Sequence, residues 1–152
     1  MKITIASDHG GETLKKELHK YLTDKGIDAQ DLSPQNFATD DYPDFAYLVG
    51  KSIQNKTADL GILVCQSGVG ISIAANKMAG VYCGRVITED DATLACHDNG
   101  INVIALSGKD MTIDTAKKVI DIFLTTEKLN HERHIRRFNK IIEIEKGTYN
   151  EL

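Results

Sequence analysis

One six-residue stretch, Cys65-Gln66-Ser67-Gly68-Val69-Gly70, sets a thiol, a hydroxyl and two glycines directly after the apolar run that ends at Val64. Glycines at these positions let backbone amides approach a ligand closely. N–H groups opening a helix there favour negative charge. A thiol at the mouth of such a turn sits in surroundings that favour the thiolate, the form that takes protons. A cysteine ending an apolar strand is, taken alone, more simply a packing residue. The glycine turn and the neighbouring Ser67 point instead to chemistry. Cys83 and Cys96 lack this context and read as packing residues. The Gly68-Val69-Gly70 triplet is not a dinucleotide fingerprint, because Ile73 stands where the third glycine belongs, and no Lys-Ser/Thr pair follows to make a Walker A loop.

Other candidates lie beyond other apolar runs. Ser7-Asp8-His9-Gly10-Gly11 reads either as a polar turn with a cap and two glycines or as an Asp–His pair facing a ligand. His97-Asp98-Asn99-Gly100 fits an ordinary helix C-terminus, where histidine suits the dipole and glycine stops the helix, or a crevice-facing acid–base group. Lys109 is a loop lysine or part of an anion site. Arg133 and Arg137 lie four apart on one helical face with Lys140 near them, while Arg136 points elsewhere. Such a run is either a solvated basic face or a pair of guanidiniums that grips phosphate oxygens. His19 reads as an exposed helix residue.

The elements that must position these groups follow from hydrophobic periodicity. Short apolar runs at Ile3–Ala6, Ile27–Leu32, Leu60–Val64, Val81–Val86 and Asn102–Leu106 have the length and β-branched content of buried parallel strands. Between them Leu14, Leu18 and Leu22 mark a helix stopped by Gly26. Pro43 opens a second helix with Ala46, Val49 and Ile53 on one face. Ala116, Val119, Ile120 and Phe123 mark a later one, and Ile135, Phe138 and Ile142 a last, over about 131–146. The alternation predicts right-handed crossovers and an α/β Rossmann-like three-layer sandwich around a five-stranded parallel sheet. Ligands of such sheets bind beyond the carboxyl ends of the strands.

Composition sets the outer bounds. The 152 residues suit one domain; 41% are hydrophobic and 26% charged, as in a globular protein. The net charge of -4 disfavours nucleic-acid and membrane partners. Against it stands Lys128 to Lys140, with five Lys/Arg, two His and one acid, which suggests a small anionic ligand. Three cysteines do not make a disulfide framework, and no CxxC or HxxxH spacing names metal ligands. No apolar run reaches membrane-span length, and no targeting segment is evident, which points to the cytoplasm.

Together these segments resemble the family of type B ribose-5-phosphate isomerases and galactose-6-phosphate isomerases. The likeness begins at Ile5-Ala6-Ser7-Asp8-His9-Gly10-Gly11 and passes through Asp41-Tyr42-Pro43. It is densest at Gly61-Ile62-Leu63-Val64-Cys65-Gln66-Ser67-Gly68-Val69-Gly70-Ile71-Ser72-Ile73-Ala74-Ala75-Asn76-Lys77, and resumes at Asn102-Val103 and Arg133-His134 with Arg137. The resemblance implies catalysis without metal or other cofactor, on a sugar phosphate, at sites shared between the subunits of a homodimer or homotetramer. It implies that Cys65 is the base moving a proton between C1 and C2. Ser67, at a position usually held by Thr, would assist ring opening and proton transfer at the oxygens. The amides of Ser67, Gly68, Val69 and Gly70 would cradle the enediolate, with Gln66 in the same loop. Asp8, His9 and Asn99 would contact sugar hydroxyls or phosphate, and Arg133, Arg137 and Lys109 the phosphate.

The chain departs from the family pattern at three places. Gln66 stands where Gly is usual, and Tyr82 where Arg is common. The ring-opening His usually precedes Asn directly. Here Asp98 fills that slot and His97 comes one residue earlier, so either could serve. The resemblance implies ribose 5-phosphate and ribulose 5-phosphate as substrates. The same chemistry on galactose 6-phosphate, allose 6-phosphate or a tetrose phosphate is the alternative. A non-enzymatic alternative is a receiver-like signalling module of the same size and strand order, for which Lys109 and Asp8 fit but Cys65 occupies the phosphorylated Asp position.

Overall fold

A computed structural model describes residues 1–127 and 130–150 of the chain. Strands β1 (Lys2–Ser7), β2 (Asp28–Asp31), β3 (Leu60–Cys65), β4 (Cys83–Arg85) and β5 (Val103–Ser107) alternate with helices α1 (Glu12–Asp24), α2 (Tyr42–Gln54), α3 (Val69–Ala75), α4 (Glu89–Asn99) and α5 (Ile113–Thr125). A last helix, α6 (Glu132–Glu145), follows α5 directly. The strands form one parallel sheet in the order β2-β1-β3-β5-β4. The order differs from the 2-1-3-4-5 of receiver domains, because the last two strands are exchanged. The expected sharing of strand order with a receiver module is thereby corrected. One consequence matters for the site: β5, not β4, lies beside β3, so the residues after β5 flank Cys65.

Side chains alternate across the sheet and build two cores. On one face Ile3, Ile5, Ile62, Val64, Ile104 and Leu106 pack with α1, α4 and α5. On the other Ala6, Leu63, Cys65, Val103 and Ala105 pack with α2 and α3. α1 and α5 fit these faces as their spacing predicts, whereas Ile135 of the predicted last-helix stripe is exposed. Leu14, Leu18 and Leu22 are buried, as are Ala116, Val119, Ile120 and Phe123. Each fully buried Leu, Ile or Phe contributes ~1.5–3 kcal/mol of transfer free energy. α2 lies close on the sheet because Gly61 has no side chain; a Cβ there would collide with Val49.

The ends follow local chemistry. Gly26, at φ +73, takes the left-handed turn that ends α1, with its N–H on Thr23 O and that of Ile27 on Leu22 O. Thr88 and Asp91 cap α4 reciprocally, and Gly100 at φ +59 ends it. β4 is shorter than expected, three residues of the predicted six. Its outer edge is taken up by the Asn76 side chain, which accepts from Cys83 N–H and donates to Cys83 O, both at 2.8 Å. A side chain thus closes an edge that would otherwise pair with another strand.

Two features were not evident from periodicity. Lys15, on α1, is fully buried. Its ammonium meets Asp31 at 2.8 Å and also donates to Ser33 O. Helix α6 buries only His134. It is held instead by Phe138, edge-on to Tyr82 at 4.6 Å, and by Glu145, which accepts from Gly80 N–H at 2.8 Å and Tyr82 OH at 3.4 Å. Tyr82, at the position where an Arg is common, is therefore the anchor of this helix. Among the described residues no helix is long and apolar enough to cross a membrane.

Candidate active site

Three loops converge at the carboxyl ends of β1, β3 and β5, and glycines let them touch. A side chain on Gly10 would meet Gln66, one on Gly11 the Val64 carbonyl, and one on Gly108 the Gly10 carbonyl. The loops are also tied together by hydrogen bonds. Gly108 N–H donates to Cys65 O at 2.8 Å, while Lys109 N–H and Ser107 Oγ donate to Gln66 O at 3.1 and 2.9 Å. Arg85 Nε donates to Ser67 O at 2.8 Å. The carbonyls of residues 66 and 67 are thus turned away to other donors.

What remains around Cys65 is rich in donors. Gly68 N–H donates to Cys65 Sγ at 3.1 Å, and Gly68 adopts φ +76, a conformation that favours glycine. Val69 N–H bonds Ser67 Oγ at 3.3 Å. The first bond of α3 runs from Ser72 N–H back to Gly68 O, so the amides of Gly70 and Ile71 precede the helix ladder. α3 is only seven residues long. The attraction for an anion here rests on these N–H groups more than on a helix dipole. Cys65 itself is 4% exposed. Gln66, by contrast, is exposed.

Asp8 and His9 border the same loops. Asp8 is buried and accepts from Gly10 N–H at 3.0 Å, whereas His9 is exposed. Burial pushes the Asp8 carboxyl up from its ordinary pKa; His9 and the Gly10 and Gly11 amides oppose this, and Asp40 adds to it. The end of β1 is fixed from behind. Ser7 N–H donates to Ser33 Oγ at 2.9 Å, and Ser33 is in turn held by Lys15. Tyr42, at the first position of α2, lays its ring over Gly70, where any side chain would strike it. Tyr42 and Arg85 were not singled out by sequence reasoning. Tyr42 sits within a motif that carries the family likeness, which was the available signal. Lys109 is exposed beside the loop.

The remaining candidates lie elsewhere in the chain. Asn99 ends α4 four residues before β5 begins at Val103, and Val103 N–H bonds Tyr82 O just ahead of β4. β5 must then rise ~13 Å to reach Ser107, the partner of Cys65. His97, Asp98 and Asn99 therefore stand at the amino edge of the sheet, opposite Cys65. Within one chain the direction of α4 thus separates them from the Cys65 loop. Arg133 belongs with them, because it neighbours His134 beside Asp98.

This second cluster is dense. His97 Nδ1 meets Asp98 Oδ1 at 2.7 Å, and His134 Nδ1 lies 3.3 Å from the same oxygen. Arg133 Nε donates to His134 Nε2 at 2.8 Å. The hydrogen bond from His97 holds the Asp98 carboxyl below its ordinary pKa, and burial pulls His134 down from its own. The rings of His97, His131 and His134 stand 5.6 to 5.7 Å apart. Linear spacing named no metal ligands, yet the fold brings His97, Asp98 and His134 within 4.8 Å of one another. Asn99 turns its amide back to Leu94 O. Arg133, Arg136 and Arg137 are exposed. Lys140 lines a groove with Arg136, Ile135 and Asn139, and seven residues on from Arg133 it also keeps to the side of Arg133. Lys128 lies outside the described residues.

Comparison with known proteins identifies the family. The model of the ribose/galactose isomerase family matches residues 3–141. A Mycoplasma genitalium protein named a probable ribose-5-phosphate isomerase B is 47% identical over 150 residues, spanning 96% of this chain and 97% of its own. A Clostridium thermocellum ribose-5-phosphate isomerase B superposes with a TM-score of 0.93 at 37% identity, over 97% of this chain and 99% of that one. The structure of a Mycoplasma genitalium ribose-5-phosphate isomerase B with bound ribulose-5-phosphate gives 0.89 at 45% identity, over 95% and 96%. The chain belongs to the ribose/galactose isomerase family and is a sugar isomerase.

Proposed function

We propose that the chain interconverts ribose 5-phosphate and ribulose 5-phosphate through an enediolate, with Cys65 as the base. The observation that carries this is the Gly68 N–H on Cys65 Sγ at 3.1 Å, inside a loop whose neighbouring carbonyls are engaged elsewhere. The thiolate takes the proton from C2 of the open aldose and returns it to C1. As the proton leaves, charge passes to the sugar oxygens, where the amides of Ser67 to Gly70 oppose it. Ser67 moves protons at those oxygens. Asp8, His9 and Tyr42 border the sugar, with Lys109 at the rim. Phosphate binding at a distance fixes the reacting carbons against the thiol.

The phosphate and the sugar ring are then handled by the second cluster of another copy. Arg133 and Arg137 grip phosphate, Asn99 contacts the sugar, and the His97–Asp98 pair opens the ring. A homodimer or higher homo-oligomer follows, working in the cytoplasm. Two observations support it. The two clusters stand at opposite edges of one sheet. Apolar side chains on α2, α3 and α6 are also left uncovered, with Tyr47, Ile73 and Ile144 each more than half exposed. Among sugar phosphates assayed with exhaustively chelated enzyme, ribose 5-phosphate should give the highest kcat/KM. Preference for galactose 6-phosphate or allose 6-phosphate would reassign the sugar. Activity lost on chelation and restored by a divalent ion would overturn the metal-free route.

The phosphate clamp has its own test. Arg137→Ala should raise the KM for ribose 5-phosphate roughly 10- to 100-fold, the worth of charge-assisted bonds to phosphate. Arg136→Ala, off the Arg133–Arg137 face, should change it far less. Equal effects would mean that the phosphate meets the other face of α6.

A further inference from the structure

The His97, Asp98 and His134 cluster has a property that ring opening does not require. Its three ligand atoms converge within 4.8 Å. Four-coordinate zinc with bonds of ~2.0–2.1 Å places neighbouring ligand atoms ~3.3 Å apart. The His134 Nδ1 to Asp98 Oδ1 edge already measures 3.3 Å, and the His97 Nδ1 to Asp98 Oδ1 edge of 2.7 Å needs only a small opening. His134 is 1% exposed, and its Nδ1 makes no hydrogen bond although the carboxylate stands before it. The exposed ring of His131, 5.6 Å from His97 and 5.7 Å from His134, borders the remaining side.

We propose that His97, Asp98 and His134 form a binding site for a borderline divalent transition ion of the zinc class, and that its occupancy inhibits the enzyme. Two imidazoles and one carboxylate suit zinc and its neighbours and suit magnesium or calcium poorly. The proton bookkeeping is definite. Arg133 only donates, so in the neutral ring of His134 the lone pair is on Nε2 and the proton on Nδ1. On metal binding that proton moves to Nε2 and the exposed Arg133 side chain gives up its bond. A cation and a competing donor therefore work against the metal at this position. The inhibition rests on the reading that the His97–Asp98 pair opens the sugar ring, because a coordinated imidazole and carboxylate no longer exchange protons. The binding does not rest on that reading.

The test is titration of chelator-stripped protein with Zn2+ against a chromophoric chelator, with turnover of ribose 5-phosphate followed in parallel. One zinc per chain is expected. His97→Asn and Asp98→Asn, at half-exposed positions that spare the fold, should each weaken binding by more than the ~10–100-fold that loss of an outer-shell partner costs. His134→Asn should do the same. Arg133→Ala should tighten binding, which a site elsewhere would not show. Cys65→Ala should bind zinc unchanged, and Co2+ in place of zinc should show ligand-field bands without sulfur charge transfer. Absence of stoichiometric zinc, or binding lost in Cys65→Ala and kept in His97→Asn, overturns the site while leaving the isomerase reading untouched. Zinc bound at these residues with undiminished turnover overturns the inhibition and the ring-opening role together, and leaves the metal site standing.

Discussion

Cys65→Ala should lower turnover by ~10²–10⁴-fold, the usual cost of losing a positioned general base. The protein should remain folded, because the side chain is small and the loop around it is held by backbone bonds from Gly108 and Lys109 and by the Arg85 side chain. It should still bind ribose 5-phosphate, since on the proposed reading the phosphate is gripped by Arg133 and Arg137. Exchange of the C2 hydrogen of the aldose with solvent deuterium should vanish with turnover, because exchange needs the same base without completed isomerisation. The two other cysteines provide the contrast. Cys96 is buried in the core, and burial pushes the Cys83 thiol up to about 12, far from a working thiolate. Cys83→Ala and Cys96→Ala should therefore leave both readouts near wild type. Substantial exchange in Cys65→Ala would make Cys65 a packing residue and return the base to Asp8 or His9.

The Cys65 loop was legible in the sequence because its chemistry is local. A strand end, two glycines and a hydroxyl fall within six residues, and the αL conformation of Gly68 is what its residue type suggests. The same holds for the helices, whose leucine and alanine spacings become buried faces. The arrangement of the site was less legible, because it depends on direction and order. That His97 and Cys65 lie at opposite edges follows from α4 running back along the sheet. That Lys109 flanks Cys65 follows from β5 sitting beside β3. Neither is encoded in any short window. Lys15 shows a further limit. A lysine between leucines reads as surface, yet here the carboxylate of Asp31 and the Ser33 carbonyl supply what burial removes. His134 was likewise read as part of a basic run. Its meaning appears only when α6 lays it against Asp98.

If each active site draws on two chains, two dead enzymes should make a live one. Cys65→Ala lacks the base but keeps an intact ring-opening and phosphate cluster. His97→Asn keeps the base and impairs the opposite cluster. In a homodimer of either variant every composite site is defective. A heterodimer of the two holds one site in which the intact Cys65 of one chain meets the intact His97 of the other, and one site with both defects. Unfolding the variants together in equal amounts and refolding them gives about half heterodimers, so turnover should recover to about a quarter of wild type. Mixing without subunit exchange should recover nothing, which excludes repair in solution. His97→Asn alone should spare an open-chain substrate, so ribulose 5-phosphate turnover in the reverse direction should fall less than turnover of the cyclic aldose. No recovery on co-refolding, with heterodimers verified by tagged pull-down, would mean that each chain completes its own site. The ring-opening group would then have to be sought on the Cys65 side of the sheet, where Asp8 and His9 follow β1 in the loop that touches Gln66.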